Sequence, residues 1–183
     1  MNLEEVALKA VDIQKIEQDW TTVIEGDENI SPDKYFSLLS YFHQILSDTN
    51  RVSDENENLF FSLNDENDYA QGLIHIIHAR KKSDENGWLK VQSTRLNPEL
   101  DLYSSSYDEL KYHDKAANIY AKTIVSVISL AEKLNTRLVK YYCGGKDKDL
   151  VFSVARAVNN DKFNSRLGLS SEAKGAWVHI TLN

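Results

Sequence analysis

The sequence predicts an α+β fold, in which helices cover a mixed, mainly antiparallel sheet in a three-layer α/β arrangement. Two helical patterns occupy roughly the first 48 residues, and strand-like segments follow between residues 58 and 97. Residues 108–135 then carry apolar side chains every three or four positions, which places those side chains on one face of a helix. A long amphipathic helix between β-rich segments can cover one face of a sheet and bury its apolar surface.

The N-terminal part is predicted to be a pair of helices. Residues 3–24 carry apolar side chains at broadly helical spacing and predict one or two amphipathic helices. Ser31 and Pro32 mark the start of the next helix, because serine caps free backbone amides and proline suits a first turn. This helix runs to about residue 48, and the polar residues 48–58 predict a loop.

Three strands are predicted next, at residues 59–63, 69–81 and 88–96. The middle one has apolar residues on both faces, which is typical of a central strand covered on both sides. The short Ser83–Gly87 turn predicts that it pairs antiparallel with the following strand, and Pro98 ends that strand.

The rest of the chain alternates helices and strands. A loose loop, the long helix, a strand, a shorter helix and two strands are predicted at residues 99–107, 108–135, 137–142, 148–158, 163–169 and 176–182. The order is therefore α-α-β-β-β-α-β-α-β-β. We expect one domain of residues 1–183, with a helical part at 1–50 and a sheet with two covering helices at 58–183.

Composition excludes some classes of function. The net charge of −7 repels a phosphate backbone and argues against nucleic-acid binding. The single cysteine, Cys143, excludes an intramolecular disulfide and suits a reducing compartment. The first residues lack the pattern of a secretion signal, and no window approaches the length of a membrane span. The expectation is a cytoplasmic protein with no membrane partner; the sequence leaves its oligomeric state, including a dimer, open.

Few residues suggest a reaction unaided. His75 and His78 are three apart on a predicted strand, so they point to opposite faces and we expect no metal there. Cys143 to Lys146 read as a strand-to-helix turn, because a phosphate-binding loop needs different glycine spacing and a Ser or Thr after the lysine. Glu99 and Asp101 follow a strand end, where a general base can lie in a cleft, but with 28 acidic residues in the chain a solvated loop is the commoner explanation.

The order of elements from residue 58 onward resembles the GNAT superfamily of acyl-CoA-dependent N-acetyltransferases. Leu89–Pro98 resembles that family's fourth strand, which ends in an apolar-x-Pro step. The segment His113–Ile119 lies where the family carries Arg/Gln-x-x-Gly-x-Gly/Ala, whose backbone amides hold the cofactor pyrophosphate. Here Ala116 and Asn118 replace the glycines, and His113 replaces the arginine or glutamine.

The resemblance implies an acetyl-CoA-dependent transferase that acts on a small amine or a protein amino group. The cofactor-binding residues that it implies are Thr94, Arg95, Leu96, His113, Ala116, Asn118 and Ile119. The family's proton-donating tyrosine on the second helix is replaced by Val158, so the proton relay is expected on strand ends. We therefore expect Glu99 as the base and Tyr141 or Tyr142 as the proton donor to the thiolate.

A second class of function fits the same residues. Small acidic α+β proteins include immunity proteins and secretion chaperones, whose negative surface complements a basic protein partner. The missing glycines at Ala116 and Asn118 favour this non-catalytic interpretation, while the order of elements favours the enzyme.

Overall fold

The computed structural model describes residues 3–26, 32–49, 51, 55–81, 84–103, 109–144, 148–157 and 168–183. The elements in chain order are β1 (Glu4–Ala7), α1 (Ala10–Glu25), α2 (Pro32–Thr49), β2 (Asn56–Asn64), β3 (Ala70–Lys81), β4 (Asp84–Leu96), α3 (Pro98–Tyr103), α4 (Glu109–Lys133), β5 (Leu138–Tyr142), α5 (Lys148–Ala157), β6 (Leu169–Lys174) and β7 (Trp177–Leu182). The predicted start of α2 at Ser31 lies outside the described residues, and so does Val158. Of the strand predicted at residues 163–169, residues 163–167 lie outside them too, and the described strand β6 begins only at Leu169.

The strands form one sheet in the order β1-β2-β3-β4-β5-β7-β6. Every neighbouring pair is antiparallel except β4 and β5, which are parallel. The predicted α+β class with a mixed, mainly antiparallel sheet is confirmed. The predicted antiparallel pairing of β3 with β4 is also confirmed, with Ile76 opposite Val91.

Helices cover the sheet on two faces. On the first face, called the α2 face below, α1 and α2 enclose a core that includes Trp20, Phe42 and Leu73. The indole of Trp20 also donates a hydrogen bond to the Ala70 carbonyl at 3.1 Å. On the opposite face, called the α4 face, α4 packs on the strands and α5 lies beside it, and Ile128 is among the buried residues. The predicted packing of the long helix across the sheet is confirmed.

The first residues differ from the prediction. Residues 4–7 were expected to be helical, but they form β1, which pairs with Phe61–Asn64 at the edge of the sheet. The helix starts only at Ala10. The spacing of apolar side chains in these four residues fits both a helix and a strand, and pairing with β2 makes them a strand.

The predicted loop after Pro98 is also partly wrong, because residues 98–103 form the short helix α3. Asn97 caps this helix: its side-chain oxygen accepts a hydrogen bond from the Glu99 backbone N–H at 2.9 Å. Pro98 takes the first helical position, where its missing N–H has no cost.

The hairpin between β3 and β4 is tighter than predicted. Lys81 pairs with Asp84, so most of the predicted turn at 83–87 belongs to β4. Gly87 adopts a φ of +56°, and a Cβ at this position would overlap the Ala79 carbonyl oxygen. Glycine is therefore needed inside the strand and not in a turn.

Among the described residues, no helix is both long enough and apolar enough to cross a membrane.

Candidate functional site

The site is organised by an irregularity in β4. His75 of β3 pairs with Ser93, but the next residue, Ile76, pairs with Val91. Gln92 is therefore one extra residue in β4 with no partner on β3, which is a β-bulge. A bulge bends its strand and shifts the pairing by one residue, and here the pairing of β4 with β3 continues beyond it, with Ile74 opposite Thr94.

The parallel strands β4 and β5 separate at this bulge. Their pairing covers only Leu89–Val91 of β4, opposite Val139–Tyr141 of β5. From residue 92 to 96, β4 has no pairing with β5, and the space between the two strands is called the β4–β5 gap below. The backbone groups along a free strand edge can bind an extended, amide-bearing chain in the way an added strand would.

A hydrogen bond crosses the β4–β5 gap on the α4 face. The hydroxyl of Tyr141 on β5 lies 2.6 Å from the hydroxyl of Thr94 on β4, and Tyr141 is only 1% exposed. Burial raises the pKa of Tyr141 well above its ordinary value, and hydrogen bonds with Thr94 and with Thr123 of α4 offset only part of this. Tyr141 is therefore neutral throughout the physiological range, and its hydroxyl can donate a hydrogen bond.

The other two predicted catalytic residues lie elsewhere. Tyr142 points to the opposite face from Tyr141, is 42% exposed and packs against Trp177, with ring centroids 4.9 Å apart and the rings tilted by 54°. Glu99 is exposed on α3, where its charge bears on Tyr69. Burial raises the pKa of Tyr69 first, and Glu99 raises it further. The described contacts do not bring Glu99 to either of the two tyrosines.

The predicted cofactor residues on β4 divide between the two faces. Thr94 points to the α4 face, and Leu96 is buried there. Arg95 points to the α2 face, with its guanidinium 5.2 Å from the ring centre of Tyr41. The β4–β5 gap therefore has Thr94 and Leu96 on one side and Arg95 on the other.

The predicted pyrophosphate motif lies inside α4. His113 is exposed and Asn118 half-buried, while Ala116 and Ile119 are fully buried. His113 is the fifth residue of the helix, so backbone N–H groups from there onward pair with carbonyls one turn earlier. Free amides that could meet an anion belong to the first turn, residues 109–112.

The sequence did not predict a cavity of about 600 Å³ on the α2 face. This α2-face cavity lies between the C-terminal half of α2 and strands β2, β3 and β4. Its polar lining includes Gln44, Asp48, Asn56, Asn58, His75 and Gln92. Gln92 is the bulge residue, so the cavity reaches the start of the β4–β5 gap.

His75 is the titratable group deepest in this cavity wall. Its Nε2 lies 2.9 Å from Oδ1 of Asn58, and its ring stacks on Phe60 with centroids 4.6 Å apart. Burial lowers the pKa of His75, which favours the neutral imidazole. His78 lies on the opposite face of β3 from His75, as predicted, and contacts the Asn86 carbonyl at 3.1 Å. In the described part of the chain, no three His, Cys, Asp or Glu residues are grouped as metal ligands.

Cys143 lies beside the site but is not activated. Burial raises the pKa of its thiol to about 11, and its S–H points to the Tyr141 carbonyl at 3.6 Å. A thiol in this environment is a poor nucleophile at neutral pH.

No protein-family model matches the sequence, and neither does any curated protein. Solved structures do match. A GNAT superfamily phosphinothricin acetyltransferase from Sinorhizobium meliloti, solved with AcCoA, superposes with a TM-score of 0.52 at 13% identity and covers 100% of this chain and 90% of its own. A spermidine N-acetyltransferase chimera from Vibrio cholerae and hSSAT gives a TM-score of 0.50 at 10% identity, covering 100% of this chain and 96% of its own. This chain therefore has the fold of the GNAT superfamily acetyltransferases.

Proposed function

We propose that the protein is an acetyl-CoA-dependent N-acetyltransferase that acts on a small amine. The observation that carries the proposal is the separation of β4 from β5 at the Gln92 bulge. This gap opens a free strand edge in a fold shared with an acetyltransferase that was solved with AcCoA.

Part of the expected cofactor site fits acetyl-CoA. The free edge of β4 at residues 92–96 suits the extended arm of the cofactor, whose amides can pair with strand backbone. The first turn of α4, residues 109–112, would hold the pyrophosphate through its free amides. Ala116 and Asn118 do not suit that task, because their N–H groups are paired within the helix. The cofactor supplies a reactive acetyl thioester.

The residues of the chain then supply proton transfer and shielding from water. Tyr141 stays protonated because burial disfavours its phenolate, so its hydroxyl is available to donate a hydrogen bond to a departing thiolate, and proton transfer along that bond requires the phenolate to be stabilised as it forms. Thr94 fixes the position of that hydroxyl at 2.6 Å. Glu99 remains the base proposed from the sequence, and its exposed position on α3 would require a water between it and the amine.

A thermal melt with acetyl-CoA tests the proposal. A ligand that binds the folded state at one hundred times its Kd adds about 2.7 kcal/mol of stability, which raises the Tm of a domain this size by roughly 5–10 °C. Release of free thiol in the presence of primary amines should accompany it. Acetate and pantothenate serve as control ligands, and a Tm that acetyl-CoA leaves unchanged contradicts the proposal.

A non-catalytic interaction protein is the second candidate, and one observation favours it. The bond between Tyr141 and Thr94 closes the β4–β5 gap on the α4 face. With a net charge of −7, the protein would then bind a basic partner. A flat response to acetyl-CoA, together with salt-sensitive binding to a basic protein, would favour this candidate.

A further inference from the structure

The α2-face cavity is placed where an acceptor would have to approach. Gln92 belongs both to the cavity wall and to the start of the β4–β5 gap. A molecule in the cavity can therefore reach a thioester in the gap from the side opposite α4. The volume of about 600 Å³ is that of a small-molecule site.

One buried atom of the Gln92 side chain has no hydrogen-bond partner among the described residues. Its side-chain oxygen Oε1 is buried and accepts no hydrogen bond within the described residues. A buried polar atom without a partner costs free energy, so such an atom in a cavity wall indicates a missing donor. Because the atom is an acceptor and has almost no accessible surface, a ligand in the cavity meets it after the Gln92 side chain turns, and must then bring an N–H or O–H group.

The charges around the cavity exclude a polycation. Asp48 is the one carboxylate among the lining residues of the described chain, and it is already paired with Arg51 at 3.1 Å. Lys90 adds a second cation to the wall. A polyamine would bring several ammonium groups and find no spare carboxylate. The side-chain amides of Gln44, Asn56 and Asn58 instead suit hydroxyl groups, which both donate and accept.

His75 can take the proton that the reaction releases. An amide oxygen accepts, so the contact with Asn58 Oδ1 places the proton on Nε2 and leaves Nδ1 as an acceptor. Two charges bear on this imidazole, Asp48 from α2 and Lys90 from β4, while β2 contributes the neutral Asn58 and Phe60. His75 pairs with Ser93 directly beyond the bulge, and β4 is the one strand between His75 and the β4–β5 gap.

We propose that the α2-face cavity holds the acceptor, and that this acceptor is a small hydroxylated amine of the amino-sugar or amino-alcohol class whose amino group lies between Gln92 and His75. The inference rests on the proposed function. In this proposal His75 replaces Glu99 as the base: the ammonium gives one proton to His75, and the nitrogen lone pair forms the N–C bond. The C–S bond breaks, Tyr141 protonates the departing thiolate, and the second proton lost from the nitrogen restores the proton of Tyr141.

Calorimetric titration without cofactor tests the cavity itself, with glucosamine and spermidine as probes. We expect glucosamine to bind more tightly than spermidine. Gln92→Leu should weaken glucosamine about tenfold by removing the acceptor. Gln14→Leu is the matched control, since Gln14 is exposed on α1, and it should bind as the parent does. Tighter spermidine binding, or equal binding by Gln92→Leu and the control, overturns the proposal.

The pH profile of kcat tests His75. Because burial lowers the pKa of His75, the acid limb of the parent should have its midpoint below 6.5. This measurement is made on the parent protein, so it remains possible even if the variants do not fold. His75→Gln should lower kcat at least a hundredfold and remove that limb, whereas His43→Gln, exposed on α2, should do neither. An acid limb at or above 6.5, or a His75→Gln variant with full turnover, overturns the role.

The two proposals fail separately. If glucosamine binds but acetyl-CoA does not change the Tm, the cavity is a binding site and the proposed transferase function is wrong. Acetyl-CoA binding with no glucosamine binding removes the cavity proposal and leaves the transferase.

Discussion

The bond between Tyr141 and Thr94 offers the sharpest test of how the β4–β5 gap works. Removing the hydroxyl in Tyr141→Phe deletes a 2.6 Å hydrogen bond and leaves the partly buried Thr94 hydroxyl without that partner. A neutral hydrogen bond contributes about 0.5–1.5 kcal/mol, and a stranded buried partner costs about 1–3 kcal/mol. Because Thr94 is only partly buried, we expect the free energy of unfolding to fall by about 1–2 kcal/mol.

A double-mutant cycle separates this bond from other effects. Urea denaturation of Tyr141→Phe, Thr94→Val and the double variant should give a coupling energy of about 1 kcal/mol, because the two side chains lose the same interaction. If the double variant loses the sum of the unfolding free energies that the two single variants lose, the two hydroxyls do not interact. That result would refute the picture of a bonded pair that spans the gap.

Turnover distinguishes a catalytic role of Tyr141 from a structural one. If Tyr141 protonates the thiolate, Tyr141→Phe should lower kcat about a hundred- to ten-thousandfold, far beyond what 1–2 kcal/mol of lost stability explains. Its pKa is raised far above the assay range, so its ionisation should cause no loss of kcat between pH 8 and 10. Tyr142→Phe gives the comparison, since Tyr142 lies on the other face beside Trp177. A larger loss in Tyr142→Phe would transfer the role to that residue.

Three further predictions concern the fold and the base. Gly87→Ala should lower the free energy of unfolding by more than about 2 kcal/mol in urea melts, because the left-handed conformation and the overlap with the backbone both oppose a side chain. Gly175→Ala has a left-handed conformation but open space around it, so its free energy of unfolding should fall by only about 1 kcal/mol. Ile128→Asp should unfold or insolubilise the protein by burying an unpaired charge, while Val125→Asp at a half-exposed position of the same helix should stay soluble and melt cooperatively. Glu99→Gln should lower turnover at least a hundredfold with acetyl-CoA binding intact if Glu99 is the base, and full activity in that variant would exclude it.

The sequence predicted best the elements whose periodicity is set by burial alone. The strand at 70–81 and the helix at 109–133 are covered by apolar neighbours along most of their length, so their side-chain patterns carry the information. It predicted less well the elements that depend on a partner or a cap. Residues 4–7 become a strand only because β2 lies beside them, and α3 follows from the Asn97 cap, a signal that was readable in the Asn-Pro-Glu sequence.

The candidate site was the least predictable part, because it depends on one extra residue in β4. Simple alternation from the buried Leu89 and Val91 would place position 93 on the α4 face and position 94 on the α2 face. The bulge at Gln92 reverses this order, so that Ser93 meets Tyr41 on the α2 face at 3.3 Å while Thr94 meets Tyr141 on the other. A bulge is a relation between two strands and leaves no mark in the sequence of either one. The same inserted residue opens the β4–β5 gap, carries the orphaned oxygen in the α2-face cavity and brings Thr94 to Tyr141. The separate parts of the site therefore share one structural cause.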